Sequence, residues 1–181
     1  MNEIFELTDV KKLDINVFHI LDDDWMLITA GSIDSFNTMT ASWGSFGILW
    51  NKPVATIFVR PHRYTFSFLE SNEFFTLSFF SDKYRKILNF CGQYSGKSID
   101  KIKQTGLMPF KTPLNNIAFQ EARLIFECKK VYSDYLKSDN FIDKSIIHRH
   151  YPAKDFHGMF IGEIVNCYVL NDIKNEDKGI K

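Results

Sequence analysis

Three short runs decide how this chain is built: Phe36-Asn37-Thr38-Met39-Thr40-Ala41-Ser42-Trp43-Gly44, then Leu49-Trp50-Asn51-Lys52-Pro53, then Val59-Arg60-Pro61-His62-Arg63-Tyr64-Thr65. Small hydroxyl residues come first, two tryptophans follow, and two arginines and a threonine close the series. That order suits a flat aromatic ligand with an anionic tail. Small residues let the backbone approach a ring, while arginine and threonine can hold a phosphate. The β-branched content of 36–43 places Thr40 to Trp43 at the end of a strand, while Arg60, Arg63 and Thr65 lie just before an expected helix, whose N-terminus offers free N–H groups to a phosphate.

Composition bounds the rest. A length of 181 residues suggests one domain over 1–181, with a core from about 25 to 170 and a charged tail over 171–181. Hydrophobic residues make up 45%, and 18 of the residues are phenylalanine, which suits a β-rich core and a buried subunit interface. The formal net charge is +0, from 22 basic and 22 acidic side chains, so neither nucleic acid nor an anionic membrane is expected as a partner. No apolar run reaches the roughly 18 residues of a membrane span. Met1-Asn2-Glu3-Ile4 lacks the basic-then-apolar pattern of a signal peptide. Cys91, Cys128 and Cys167 are odd in number and widely spaced, which favours a reducing, cytoplasmic setting over a disulfide framework.

Outward from the central runs, Trp25 to Ala30 reads as a strand closed by a turn at Gly31-Ser32, and Asp22-Asp23-Asp24 as a solvated acidic turn. Phe36 to Trp43 is the next extended segment. Pro53 is expected to break the chain before a strand over Val54 to Val59, and Thr65 to N-cap a short helix. Phe74 to Phe80 is a near-continuous apolar strand. Tyr84, Ile87, Leu88 and Cys91 form one helical stripe that Gly92 is expected to end, and Ser98 is expected to cap a second helix stopped by Gly106. Glu121 to Val131 and Phe160 to Leu170 alternate as strands, with a mixed, polar excursion over Ser133 to Phe156 between them. Strands with few helices, no βαβ rhythm and no Gly-rich nucleotide motif argue for an antiparallel barrel with helical insertions, not a Rossmann site.

At N-T-M-T-A-S-W-G, L-W-N-K-P and V-R-P-x-R-Y-T, taken in order, the chain resembles the flavin reductase-like family of FMN-binding split barrels. Gly92-Gln93-Tyr94-Ser95-Gly96-Lys97 with Asp100-Lys101 is similar to a second motif of that family, G-R-x-S-G with D-K after it, and Gln93 replaces its usual arginine. Glu121-Ala122-Arg123-Leu124 to Glu127-Cys128 and Phe160-Ile161-Gly162-Glu163-Ile164 resemble two of its strands, and Asp155 and His157 also fit just before the latter. The resemblance covers about 25 to 170. It implies a mainly β, antiparallel split β-barrel with short helical insertions, holding FMN non-covalently in a homodimer.

The implied chemistry is passage of a hydride or electrons between NADH or NADPH, FMN and an acceptor. A flavoredoxin-like electron carrier without its own NAD(P)H turnover, with a protein as electron acceptor, is the alternative, and a barrel without flavin a further one. The implied FMN-binding residues are Asn37, Thr40, Ala41, Ser42, Trp43, Arg60, Arg63, Thr65, Ser95, Lys97 and Phe160. Without the resemblance, Thr40 to Trp43 also reads as an ordinary strand edge with a core tryptophan, Arg60 to Thr65 as a solvated basic turn, and the 92–97 run as a glycine loop. No acid–base pair stands out, because the cofactor carries the redox chemistry, so no catalytic residue is expected. His148, His150 and His157 raise the possibility of a metal, but beyond the loose candidate Glu163 no further ligand has suitable spacing, so none is expected.

Overall fold

A computed structural model describes residues 4–171; the expected charged tail lies outside them from 172 onward. In chain order the elements are β1 (Phe5–Leu7), the single helical turn α1 (Val17–His19), β2 (Met26–Ser32), β3 (Ser35–Ala41), β4 (Gly44–Leu49), β5 (Lys52–Val59), α2 (Tyr64–Ser71) and β6 (Phe74–Phe79). Then come α3 (Arg85–Gln93), α4 (Lys101–Thr105), β7 (Pro109–Lys111), β8 (Ile117–Phe119), β9 (Leu124–Tyr135), α5 (Ser145–His150) and β10 (Gly158–Leu170).

The main sheet runs β3-β2-β6-β9-β10-β5-β4, and every pairing in it is antiparallel. Strand β1 pairs with the far end of β10, from Phe5 opposite Leu170 to Leu7 opposite Tyr168. The outermost strands, β3 and β4, do not pair with each other, yet only Ser42 and Trp43 separate them in the chain. The sheet must therefore curl until its two free edges approach at that point. This is an open, split barrel, and the dipeptide at the split comes from the first diagnostic run.

At β2 and β6 both faces of the sheet are covered, which explains why Phe74 to Phe80 reads as an apolar run rather than a clean alternation. On β2, Met26 and Ile28 join an inner cluster with Ile57, Phe75, Phe79, Phe126 and Phe160. Leu27 between them joins an outer cluster with Phe80, Leu88, Cys91, Phe119 and Tyr168, under α3 and the β7–β8 hairpin. The helical stripe expected at 84–91 supplies that cover: Leu88 and Cys91 are buried, and Tyr84 and Ile87 pack beside them.

Glu127 lies within β9, and none of its surface is exposed. Its carboxylate accepts hydrogen bonds from Asn116 Nδ2 (2.7 Å), Thr112 Oγ1, Asn166 Nδ2 (2.7 Å) and Tyr168 Oη (3.2 Å). One buried side chain thus ties the β7–β8 turn to β10. Gly162 on β10 leaves room for Phe75, since a Cβ there would stand 2.7 Å from its Cζ.

Several local expectations are corrected. Pro53 does not break the chain but sits inside β5 opposite Ile48. The β5–β10 ladder ends at Val54, so the missing N–H of Pro53 falls outside it. Strand β2 continues through Gly31-Ser32, and β4 was not foreseen. Gly92 is inside α3, and Asp100, not Ser98, caps α4 by accepting from Lys103 N–H. Gly106 ends α4 with φ 71°, as expected. Thr65 is the second residue of α2; Arg63 precedes the helix, and no side chain caps it. His148 and His150 lie on α5, a short helix within the polar excursion.

Candidate functional site

The end of β3, the dipeptide after it, the end of β5 and the approach to β10 meet at the split. Met39, Thr40, Ala41, Ser42, Trp43, Phe58, Arg60, His62, Arg63, Asp155 and His157 line a cleft of about 400 Å³ there. The first and third of the central runs therefore converge in space, while Leu49 to Pro53 forms the β4–β5 turn and lines none of the cleft. Trp43 stands in the wall, 47% exposed, with its ring 5.2 Å from that of His157 and 5.6 Å from that of His150.

The two arginines differ in kind. Arg60 is satisfied within the chain: Nη1 meets Asp155 Oδ2 at 2.5 Å, Nη2 donates to the His150 carbonyl at 2.7 Å, and the guanidinium lies 5.1 Å over the Tyr151 ring. Arg60 thereby pins the 136–157 excursion to the barrel and holds the Asp155 carboxyl below the ordinary carboxylate range. Arg63 is half-buried, and its guanidinium has no ion pair or hydrogen bond among the described residues. Burial, with the charge of Arg60 beside it, lowers its pKa from the usual arginine value. It remains a cation facing the cleft without a counter-charge.

Close by is a residue that sequence reasoning did not single out. Lys101 is 6% exposed, and its ammonium donates to the carbonyls of Thr38 (2.7 Å) and Cys91 (2.8 Å) with no carboxylate against it. Burial is the main cause that lowers its pKa to about 8; Cys91 opposes this and Arg63 adds to it. The signal available was the Asp100-Lys101 pair; nothing in the local sequence announced that the lysine turns inward. Phe58, His62, Asp155 and His157 were likewise not named as site residues. His157 is 6% exposed, and burial followed by Arg60 pushes it down to about 4, so its ring is neutral at pH 7. Its Nδ1 shares a 2.8 Å hydrogen bond with Tyr151 Oη.

The other expected residues distribute as follows. Thr40 turns its hydroxyl away, to the Leu88 carbonyl of α3 at 2.5 Å. Asn37 and Thr65 are buried and bonded to each other, Nδ2 to Oγ1 at 2.7 Å, which fixes β3 against the start of α2. Gly96 packs against Asn37 so closely that a Cβ would overlap its amide, and this brings the 95–97 loop to the same place. Lys97 Nζ lies 5.5 Å over the Tyr64 ring at the first position of α2, and the Ser95 hydroxyl accepts from Lys97 N–H at 3.3 Å. Asn37, Thr38, Lys97 and Lys101 share a smaller recess of about 350 Å³ that is separate from the cleft lined by Met39 to Trp43. Phe160 is not brought to the cleft: it is 3% exposed and packs edge-on against Phe66 at 5.5 Å. Among the described residues no cluster of histidine, cysteine, aspartate or glutamate is arranged to hold a metal ion.

The arrangement has the chemistry of an anion-tailed ring site. Arg63 and Lys101 are uncompensated cations, and the uncapped start of α2 presents free backbone N–H groups at its positive end. Beside them the small residues Ala41 and Ser42 and the flat face of Trp43 form the wall that a ring requires.

Comparisons with known proteins bear on the family and the fold. The family model described as "Flavin reductase like domain" matches residues 23–178. No curated protein matches the chain. Among solved structures, a flavoredoxin from Methanosarcina acetivorans superimposes with a TM-score of 0.64 at 23% identity, over 89% of this chain and 76% of that one. An FMN-binding protein from Thermus thermophilus, solved with bound p-hydroxybenzaldehyde, gives 0.66 at 17% identity over 92% and 83%. A flavoredoxin of Desulfovibrio vulgaris (Miyazaki F) gives 0.63 at 21% identity over 90% and 75%.

Proposed function

The chain belongs to the family of flavin reductase-like domains, and from that premise we propose that it is an FMN-dependent oxidoreductase that takes reducing equivalents from NADH or NADPH and passes them to an acceptor. The observation that carries the reading is Arg63, a half-buried cation without a partner at the mouth of a cleft walled by Ala41, Ser42 and Trp43. A phosphate supplies the charge that Arg63 and Lys101 lack, and an isoalloxazine ring matches the wall. Bound FMN supplies the hydride and electron chemistry. The chain's part is to hold, orient and shield. Arg63 and the amides at the start of α2 would meet the phosphate, and Ser42 and the backbone of 40–42 the polar edge of the ring. Trp43 would cover apolar ring surface. Arg60, closed by Asp155, keeps the 136–157 excursion over the site, and neutral His157 withholds a positive charge from that side of the cleft.

The unit proposed to do this is one domain with its core at about 25 to 170, working as a homodimer. The dimer surface we favour is the β4–β5 hairpin, where Ile48 (63% exposed), Leu49 (38%) and Trp50 (56%) form an apolar edge. Three buried, unpaired thiols suit a cytoplasmic protein. Among the described residues no helix is long and apolar enough to cross a membrane.

The test is direct. The purified protein should bind FMN with visible absorbance near that of free flavin and should oxidise NADH or NADPH in steady state when a flavin or dye acceptor is present. Flavin binding without any pyridine nucleotide turnover would leave an electron carrier of the flavoredoxin kind. Failure to bind FMN at all would overturn the reading.

A further inference from the structure

The cleft does not account for a second space beside it. Phe18, Leu21, Trp43, Phe58, Leu136 and Tyr151 surround an apolar groove of about 520 Å³. Ser42, Trp43 and Phe58 line both spaces, so they form the partition between them. Two large aromatic surfaces are left to water here: Phe18 is 84% exposed and Trp43 47%. Covering such side chains removes apolar surface from water, so this mouth favours an apolar occupant.

Polar groups in the groove are few. Tyr151 has its hydroxyl engaged by His157. The Ser42 hydroxyl makes no hydrogen bond among the described residues, and Asp22 is the one carboxylate in the lining, with no lysine or arginine to oppose it. The segment that carries Phe18 and Asp22 is held in an unusual shape. After α1 the chain makes a π-turn over Ile20–Asp24 and reaches Trp25 at φ 66°, ψ 172°, a region nearly confined to glycine. Trp25 is kept there by its indole N–H on the Asp22 carbonyl (2.8 Å) and by Arg85 stacked 4.2 Å over its ring. Ile20 and Leu21 are buried anchors. The strap is fixed at its base and holds an unburied phenylalanine at the groove.

We propose that this groove binds a neutral, flat aromatic molecule of one or two rings, held between the exposed ring of Phe18 and the side chain of Leu136. Asp22 sets the charge preference, since a carboxylate ligand meets a like charge and a neutral one does not. A second copy of the chain is the less favoured occupant, because Ile48, Leu49 and Trp50 already offer it an exposed apolar edge elsewhere. The proposal needs no bound flavin and stands apart from the reading above.

The matched probes are 2-naphthalenemethanol and 2-naphthoate, measured by equilibrium dialysis against the full chain, with FMN titrated in every variant. The alcohol should bind saturably, one per chain, and the naphthoate several-fold more weakly. D22N should narrow that gap. L136D should weaken the alcohol about tenfold or more, and F18A several-fold, while FMN affinity stays unchanged in both. If L136D loses FMN as well, F18A alone decides. The proposal is overturned if wild type shows no saturable binding of the alcohol, or if the variants bind it as wild type does. A dimer that dissociates in both L136D and F18A would also overturn it, with a second copy as the occupant of the groove.

Discussion

Arg60 and Arg63 are three positions apart and look alike in the sequence, yet only one of them is free to meet a ligand. Charge-assisted hydrogen bonds contribute roughly 1.5–3 kcal/mol each, so Arg63→Ala should weaken FMN about ten- to a hundredfold. Riboflavin lacks the phosphate and should be nearly indifferent to the change. Titrating both flavins into the variant separates the cases: equal weakening of the two would show that Arg63 supports the ring pocket or the fold instead. On the proposed reading, Gln93 in place of the arginine usual in that motif would leave more of this load to Arg63. His157 gives a second prediction. Its folded pKa is pushed down to about 4, against about 6.5 for an ordinary histidine. Between these values the unfolded chain binds the extra proton. The stability attached to His157 is therefore complete above about pH 6.5 and is lost as pH falls toward about 4. The loss at about pH 4.5 is on the order of 2 kcal/mol. Urea unfolding at neutral and acid pH should show a shallower decline for His157→Gln than for wild type, and parallel declines would refute the assignment. The arginine pattern was legible because its signal is local. Lys101 was not, because burial of its ammonium depends on β3 and α3 closing around it, which no neighbouring residue encodes.

Among the elements, those with strong periods were legible and those without were missed. The apolar run of β6 and the stripe of α3 are long enough to declare themselves. Strands β1, β7 and β8 have three residues each, too few to show a period of two. Strand β4 contains Gly44 and Gly47 and faces solvent along much of its length, so neither propensity nor alternation marks it. Glu127 shows the same limit from another side. In sequence it is an acid in a strand; in the fold it is the hub of four hydrogen bonds between β9, β10 and the β7–β8 turn. Glu127→Ala leaves those donors buried without an acceptor and should cost about 3–5 kcal/mol. Glu127→Gln keeps the shape and one acceptor oxygen, and the hydroxyl that faces its amide nitrogen can reverse, so it should cost clearly less. Denaturant midpoints for the two variants check this, and an alanine variant within about 1 kcal/mol of wild type would rule it out.

At the scale of the whole molecule, the split barrel was legible through its motifs, while the order of strands was not, since registers between distant segments leave no mark in either one alone. The β4–β5 hairpin adds an observation of its own. Its two turn residues, Trp50 and Asn51, both have positive φ, 51° and 59°, as a tight hairpin turn requires. A tryptophan in that conformation with more than half its surface in water is an outlier, and such outliers cluster where a contact is made. Light scattering at micromolar concentration should give the mass of two chains for wild type and of one for Trp50→Glu, which buries a charge at the proposed contact. A monomeric wild type would remove the dimer. The central strand has a consequence for the order of events at the ribosome. Strand β10 joins β9, β5 and β1 into one sheet, yet it is synthesised roughly a hundred residues after β5, on the order of ten seconds at usual rates of translation. During that interval β5 has no partner on its inner edge and β1 has none at all, and β9, completed at Tyr135, waits only for the last part of it. Nascent chains halted before Gly158 should therefore be sticky and protease-sensitive, and those released after Leu170 should not.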